Sequence, residues 1–589
     1  MHGGRLAYYI CGEGVVPESP ASPVYGQPAG ATLPARMPGL RFGRMFGRTQ
    51  HTYRPEEEER VVRKLVQLGL RMTERVDSAP TKPEENDSDI PSGYTYLGQF
   101  IAHEITFHNT GDLLQTDLRP ENLRTPEIDL DSLYGGAGGP KDNPRLYETD
   151  GASLRLGRTR YNPNTDVLSK TFMNDLPRGT EAGPEKACIG DPRNDENLTL
   201  AQTHVAFIAF HNRVVKDLWN KHPHYPAQKV FELAREQVIR HYQWIILYDF
   251  LPRIVRADVL DCVMNHGLRW FKGDGADGLF MPLEFSAAAF RIGHSMVRAA
   301  YEWNPYHRTD MPGVGPLPLE ELFNQTGFLR GRVHPGGSGQ SQPGGFPAAA
   351  APKVGLDGRD ALRSVWIIDW RHFYDFSPIG AVKKVKPFNM AAKLDTAFGL
   401  RLDSVEGFFS EKVEKMQRAI TVRNLLRGFY LGLPTGEEVA EWMGETPLTR
   451  KELAGRRQAD VPHHEDALDH PVFWGKTPLW YYILKEAELV GKNGAGQPCN
   501  RLGPVGGRIV AETLVGLIRN SHHSILKDED WRPTQYGRPT GGPKGVKFEM
   551  IDLLHAAGVV DPIAAHLRKL MPSSNLNEEE EKQGAAGVG

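Results

Sequence analysis

The sequence predicts a mainly α-helical chain built around one large body, with few and short strands. Long segments repeat apolar residues at i, i+3 and i+4, the period of an amphipathic helix. Alternating strand patterns are rare and brief. The 589 residues, 40% of them hydrophobic, supply enough apolar side chains for a substantial core.

Residues 1–50 are rich in Gly, Pro and Arg and read as an irregular arm. Helical period begins at Glu56, where Val61, Val62, Leu65, Val66 and Leu68 share a face. A second helix carries Leu200, His204, Phe207, Ile208, His211, Val214, Val215 and Leu218 on one side, and His204 and His211 read as core packing. Further helices are expected over Lys229–Leu251, ending at Pro252 because proline disfavours helix before it, and over Asp403–Leu431, Pro478–Leu489 and Gly507–Ile518. Within the main body, 51–572, the low-complexity stretch Gly331–Lys353 is too polar and Gly/Pro-rich to offset its chain entropy, and reads as a flexible insertion. The acidic, then small and polar tail, 573–589, reads as disordered. No internal repeat is present.

Charge and cysteine content remove several classes. Seventy Lys and Arg against 73 Asp and Glu leave a net charge of −3, so a nucleic-acid partner is not expected. Cys11, Cys188, Cys262 and Cys499 form no CxxC pair, which leaves thiolate zinc and iron–sulfur clusters without a scaffold, and they read as free thiols. The apolar run Ala7–Ile10 is too short for a signal-peptide core, and no run approaches the roughly 18 apolar residues of a membrane span. A soluble protein is expected, cytoplasmic or secreted by a non-classical route.

The chemistry concentrates first in Tyr96-Leu-Gly-Gln-Phe-Ile-Ala-His-Glu-Ile-Thr-Phe-His108. His103-Glu104 followed by His108 suggests a zinc protease, whose two histidines must lie at i and i+4 to share a helix face. Here they are at i and i+5, roughly 140° apart, so the zinc reading fails on geometry.

Together with four later segments in the same order, this one resembles the distal helix of the animal-type haem peroxidases of the peroxidase–cyclooxygenase superfamily, with Gly98-Gln99 and His103-Glu104 where the family has Gly-Gln and His-Asp. Arg124-Thr-Pro-Glu-Ile-Asp-Leu-Asp-Ser-Leu-Tyr-Gly135 is similar to the family's calcium loop, though standing alone it reads rather as an ordinary acidic turn. The resemblance implies Ca2+ held by Thr125, Asp129, Asp131, the backbone carbonyl of Glu127, and Glu104 from the helix, a set of hard oxygens. Gly190-Asp-Pro-Arg193-Asn-Asp-Glu196-Asn197 supplies the distal arginine, Arg193, and Glu196, which in the family can form an ester to haem. Taken singly, these two residues read as cap-region groups at a helix start.

Ala289-Phe-Arg-Ile-Gly-His294 is similar to the proximal helix, and the resemblance implies that His294 would bind haem iron. Arg291 stands where the family's peroxidases carry arginine and its oxygenases a radical-forming tyrosine, while Tyr301 and Tyr306 stay unassigned. In Val422-Arg-Asn424-Leu-Leu-Arg427, Asn424 would accept a hydrogen bond from the proximal imidazole and Arg427 would pair with a haem propionate. The segments around Pro478–Ala487 and Arg501–Glu512 look like bacterial members, and the likeness spans residues 90–520.

The resemblance implies a haem b peroxidase. It would reduce hydrogen peroxide and oxidise small organic donors, halide or pseudohalide, with His103, Arg193 and Gln99 on the distal side. Ala102 removes the ester that the family's aspartate makes from that helix, and Asn197 stands where one member has a methionine bonded to haem. One ester through Glu196, or none, is expected, with iodide, thiocyanate or organic donors favoured over chloride. Two alternatives stay open: a fatty-acid dioxygenase of the same superfamily, which Arg291 disfavours, and a haem-bearing adhesion or binding protein, although Arg-Gly-Asp does not occur. Neither the donor nor an oligomeric state can be read from the residues.

Overall fold

A computed structural model describes residues 42–560 except 52, 74–86, 108–121, 123, 126, 137, 161–173, 179–186, 272–278, 312, 327–360, 399–418, 455–467, 469, 491–499 and 541–544. The expected insertion 331–353, the tail 573–589, most of the 1–50 arm, His108, Cys11 and Cys499 lie outside the described residues. Cys188 and Cys262 are free thiols.

The fold is mainly α-helical. Its longer helices are α1 (Pro55–Arg71), α2 (Gly93–Ile105), α3 (Leu198–Lys221), α4 (Ala227–Ile245), α5 (Ala257–His266), α6 (Ile420–Tyr430), α7 (Gly436–Met443), α8 (Leu479–Val490), α9 (Pro504–Asn520) and α10 (Met550–Ala557). Strands among the described residues form only two-stranded pairs. One of them is parallel and joins Phe42–Gly43 to Met281–Pro282; another is antiparallel and joins Asp87–Pro91 to Met390–Ala392 at the entry to α2. No helix among the described residues is long and apolar enough to cross a membrane.

The apolar faces read from the sequence are the buried ones. In α1, Val61, Leu65 and Leu68 turn inward, and Glu56, Glu57 and Glu58 crowd the first turn, where the helix dipole favours negative charge. Helix α3 is capped by Asn197, whose side chain accepts from the Leu200 N–H at 2.9 Å, and it packs against α2, α4 and α10. Phe100 of α2 stacks on Phe207 of α3 at 4.8 Å, with Tyr242 of α4 set edge-on to both. That aromatic cluster fixes α2 deep in the body.

Two elements depart from expectation. The helix beginning near Lys229 does not stop at Pro252. It widens into a π turn over Ile246–Phe250 and continues as Leu251–Ile254 with Pro252 inside it. An α-turn would force the proline ring against the carbonyl four residues back, and the wider winding moves that carbonyl aside. In addition, the segment expected as a proximal helix is a helical turn over Leu283–Ala287 followed by a 3-10 run over Ala289–His294. Ala288 breaks the helical angles at φ −135°, ψ −75°, after which Arg291, Ser295 and Met296 bond three residues back.

Candidate active site

His103 and His294, separated by most of two hundred residues, line one cavity of about 190 Å3. Gln99, Glu196, Asn197, Arg291 and Arg423 share its wall with apolar side chains that include Phe250, Phe285 and Phe290. His103 comes from the buried face of α2 and His294 from the end of the 3-10 run.

On the α2 side, the amide of Asn194 sits between two imidazoles. Its Oδ1 is 3.0 Å from Nδ1 of His103 and its Nδ2 is 3.0 Å from Nδ1 of His204. An amide oxygen only accepts and an amide nitrogen only donates, so His103 carries its proton on Nδ1 and presents a bare Nε2. That nitrogen lies 4.0 Å from Glu196. Burial, then the charge of Arg193, pushes the His103 pKa down to about 3. The ring is therefore a neutral base at physiological pH. Glu196 accepts from the Gln99 amide, whose oxygen in turn accepts from Asn197 at 3.1 Å.

Arg193 is buried behind His103 and does not belong to the cavity wall. Its guanidinium grips the Asp191 carboxylate at 2.6–3.2 Å, donates to the backbone carbonyl of His103 at 2.9 Å, and lies 4.3 Å over the Phe107 ring. Asp191 also caps the turn that carries Arg193, accepting its N–H at 2.9 Å. The expected core roles of two histidines are met: His204 bonds Asn194, and His211 lies between the Ala152 carbonyl at 2.9 Å and the Tyr134 hydroxyl at 3.0 Å.

On the other side, the Asn424 amide nitrogen is 3.0 Å from Nδ1 of His294. Its oxygen accepts from Arg291 at 2.8 Å. The polarity is the reverse of that expected from the sequence, because arginine can only donate and so claims the amide oxygen. Burial, then Arg427 and Arg423, drives the Arg291 pKa well below its ordinary value, and burial lowers Arg427 to about 10. Arg427 is buried near these groups without belonging to the cavity wall.

The acidic loop folds onto α2. Carboxylate oxygens of Glu104, Asp129 and Asp131 lie within 4.8 Å of one another. Thr125 Oγ1 is 3.3 Å from Asp129, whereas the Glu127 carboxylate turns to the His522 N–H at 3.0 Å. Between the two aspartates Leu130 adopts φ 58°, a strained conformation for a branched residue that lets the loop enter the turn Asp131–Tyr134. Burial and mutual repulsion raise Glu104 well above the carboxylate range and Asp129 to about 7, while Asp131 is raised chiefly by burial. Arg124 bridges the cluster to the distal side, 3.4 Å from Asp131 and 2.5 Å from Asp191.

Asn194, Asp191, Arg124 and Arg423 do not stand out in the sequence. Asp191 and Asn194 fall inside the Gly190–Asn197 motif, but nothing in a polar run marks which residues turn inward. Arg423 precedes Asn424 and is open to the same reasoning as Arg427.

A helical body brings two histidines to one cavity with a carboxylate cluster beside one of them, an arrangement that can hold a metal or a cofactor. Residues 112–336 match the family described as animal haem peroxidase. A peroxidase-like protein of Margaritifera margaritifera is 29% identical over 302 residues, covering 43% of this chain and 37% of that protein. Thyroid peroxidase of Canis lupus familiaris is 30% identical over 227 residues, covering 36% and 23%. The matched part thus spans about a quarter to just over a third of those relatives. Among solved structures, peroxidase A from Dictyostelium discoideum shares 16% identity over 88% of this chain and 92% of its own, with a TM-score of 0.48. The Oryza sativa fatty acid alpha-dioxygenase shares 11% over 90% and 82%, with a TM-score of 0.49. The similarity to the animal haem peroxidase family thus lies in residues 112–336 of the chain.

The residues present fit the family's haem. His103 and His294 offer ring nitrogens to one cavity, and Arg291 and Arg423, charged side chains able to face a carboxylate, share its wall. The acidic loop fits a calcium ion as well, since carboxylate oxygens of Glu104, Asp129 and Asp131, all hard ligands, converge within 4.8 Å.

Proposed function

We propose that the protein is a haem b peroxidase that reduces hydrogen peroxide and oxidises small organic donors, halide or pseudohalide. The observation that carries this reading is the shared cavity of His103 and His294. Haem would supply redox-active iron, and His294, Arg291, Arg423 and Arg427 would hold it, with Glu196 able to form at most one ester to it.

The protein's own groups move the protons. His103 Nε2 takes a proton from hydrogen peroxide and returns one to the departing oxygen, which leaves as water. Asn194 holds the ring in the tautomer that this requires. Arg193, behind the imidazole and paired with Asp191, opposes its protonation. Gln99, fixed by Glu196 and Asn197, orients the peroxide or a halide. Coordination through Nε2 of His294 would need the ring proton on Nδ1, and so an Asn424 amide turned over from the orientation in which its nitrogen faces the ring and its oxygen accepts from Arg291. Calcium at Glu104, Asp129, Asp131, Thr125 and the Glu127 carbonyl would tie the loop to α2 next to His103.

The test is a pyridine haemochrome assay with acid–acetone extraction, alongside peroxide-driven oxidation of a phenol, on wild type and His294→Ala. Pigment and turnover in wild type, both lost in the variant, are expected. Pigment without peroxide-dependent oxidation overturns the enzyme reading in favour of a haem-bearing binding protein. Oxygen uptake with a polyunsaturated fatty acid and no peroxide moves the reading to the dioxygenases.

A further inference from the structure

Two tyrosines, Tyr94 and Tyr96, belong to the wall of the cavity, and their surroundings differ in one decisive respect. The Tyr94 hydroxyl donates to the carboxylate of Asp249, 2.7 Å and 2.9 Å from its two oxygens. Both side chains are buried, at 2% exposure each. Among the described residues Tyr96 has no carboxylate beside it, and its hydroxyl is buried without a hydrogen bond. Tyr374 packs edge-on to Tyr94 at 5.0 Å, and its own hydroxyl makes no hydrogen bond.

Asp249 is held for this contact. It lies in the π turn Ile246–Phe250, accepts from Arg253 at 2.9 Å and from the Met550 N–H at 2.8 Å, and the Arg253 guanidinium lies 4.4 Å over the Tyr94 ring. Single π turns inside α-helices recur at functional sites, because they re-aim one side chain at the cost of local hydrogen bonding. Burial raises the Asp249 pKa, which makes its carboxylate a stronger base than an exposed aspartate.

A phenol that loses an electron becomes strongly acidic, so its oxidation is easy only where a base within hydrogen-bond reach takes the proton in the same step. We propose that Tyr94 is a redox-active residue that stores one oxidising equivalent as a neutral tyrosyl radical, with Asp249 as its proton acceptor. The inference rests on the haem peroxidase reading, since the oxidant is the porphyrin iron centre after its two-electron oxidation by hydrogen peroxide. Tyr94 gives that centre one electron, and its hydroxyl proton passes to the Asp249 carboxylate. A one-electron donor later reduces the ring, and Asp249 returns the proton.

The experiment uses the full chain loaded with haemin, with loading confirmed by the Soret band, mixed with hydrogen peroxide and freeze-quenched for electron paramagnetic resonance. A protein-radical signal is expected, narrowed when the tyrosines are ring-deuterated. It should be lost in Tyr94→Phe, strongly reduced in Asp249→Asn and kept in Tyr374→Phe and Tyr96→Phe. Should Tyr94→Phe fail to fold, the deuterated wild type and Asp249→Asn decide. A Soret band and peroxide consumption with no tyrosyl signal, with an unchanged signal in Tyr94→Phe, or with a signal that Asp249→Asn leaves intact, overturn this proposal and leave the peroxidase reading standing. Absence of any Soret band removes both together.

Discussion

Asn194 joins His103 to His204 through the two ends of one amide, each 3.0 Å from an imidazole Nδ1. Because the amide ends differ chemically, the contact selects a tautomer as well as a position. Asn194→Ala is expected to keep the Soret band and slow the reaction with peroxide by about 10- to 100-fold, the usual range for losing a group that orients a reactive ligand. Stopped-flow mixing with hydrogen peroxide checks this. An unchanged rate would mean that the imidazole is held by packing alone.

The carboxylates of Glu104, Asp129 and Asp131 converge within 4.8 Å, and Arg124 neutralises them only from the Asp131 side. Calcium bound there would stabilise the folded state by mass action, by about 2.7 kcal/mol at a concentration 100 times its dissociation constant. The melting temperature is expected to rise with added calcium and fall with a chelator, and Glu104→Gln should abolish the response. Calorimetry with magnesium as the control ion tests it, since a site of several protein oxygens favours the larger cation. Equal responses to both ions would point to general charge screening.

The sequence made some of this legible and hid the rest for physical reasons. Helices α1, α3, α8 and α9 are readable because their cores repeat with helical period over several turns. His103 and His294 stand out because each lies in a segment whose residue types and order resemble a known family. Asn194 and Asp191 were hidden, since in the polar run Asp191–Asn197 no periodicity tells an inward side chain from a solvated one. Their importance comes from α2 packing over them, a long-range event. Pro252 misled for a related reason, as a local rule against proline in helices yields when a π turn relieves the clash.

His241 sits among Phe210, Trp531, Tyr536 and Phe548, with ring centroids 4.7–5.6 Å away. Its Nδ1 is bonded to the Gln237 carbonyl at 2.7 Å, and its Nε2 is buried without a partner. Burial lowers its pKa to about 4 from an ordinary 6.5. The unfolded chain therefore binds a proton at His241 before the folded one does. Its contribution to stability is intact above pH 6.5 and is lost as pH falls toward 4, up to about 3 kcal/mol across that window. In urea unfolding from pH 8 to pH 4, wild type is expected to lose stability more steeply than His241→Phe, by up to that amount. Parallel pH profiles for the two proteins would refute the assignment.

Helix α1 meets α6 backbone to backbone at Gly69. A Cβ there would lie 2.7 Å from the Val422 nitrogen and Cα, and the Gly69 carbonyl accepts from Thr421 Oγ1 at 2.7 Å. Main-chain atoms cannot swing aside as a side chain can, so Gly69→Ala must push the helices apart, at a cost of about 1–3 kcal/mol for overpacking. The higher helix propensity of alanine offsets this by up to about 1 kcal/mol. The displaced helix carries Asn424 two residues beyond Val422, so the hydrogen bond to His294 should loosen as well. Gly69→Ala is therefore expected to lower the urea midpoint and also to weaken haemin retention, measured by transfer to apomyoglobin. Gly428→Ala, on the same α6 but with only an ordinary 3.5 Å contact to Leu433, should do neither. If Gly69→Ala lowers stability yet leaves haemin transfer as in wild type, the packing of α1 on α6 supports the fold without setting the position of Asn424.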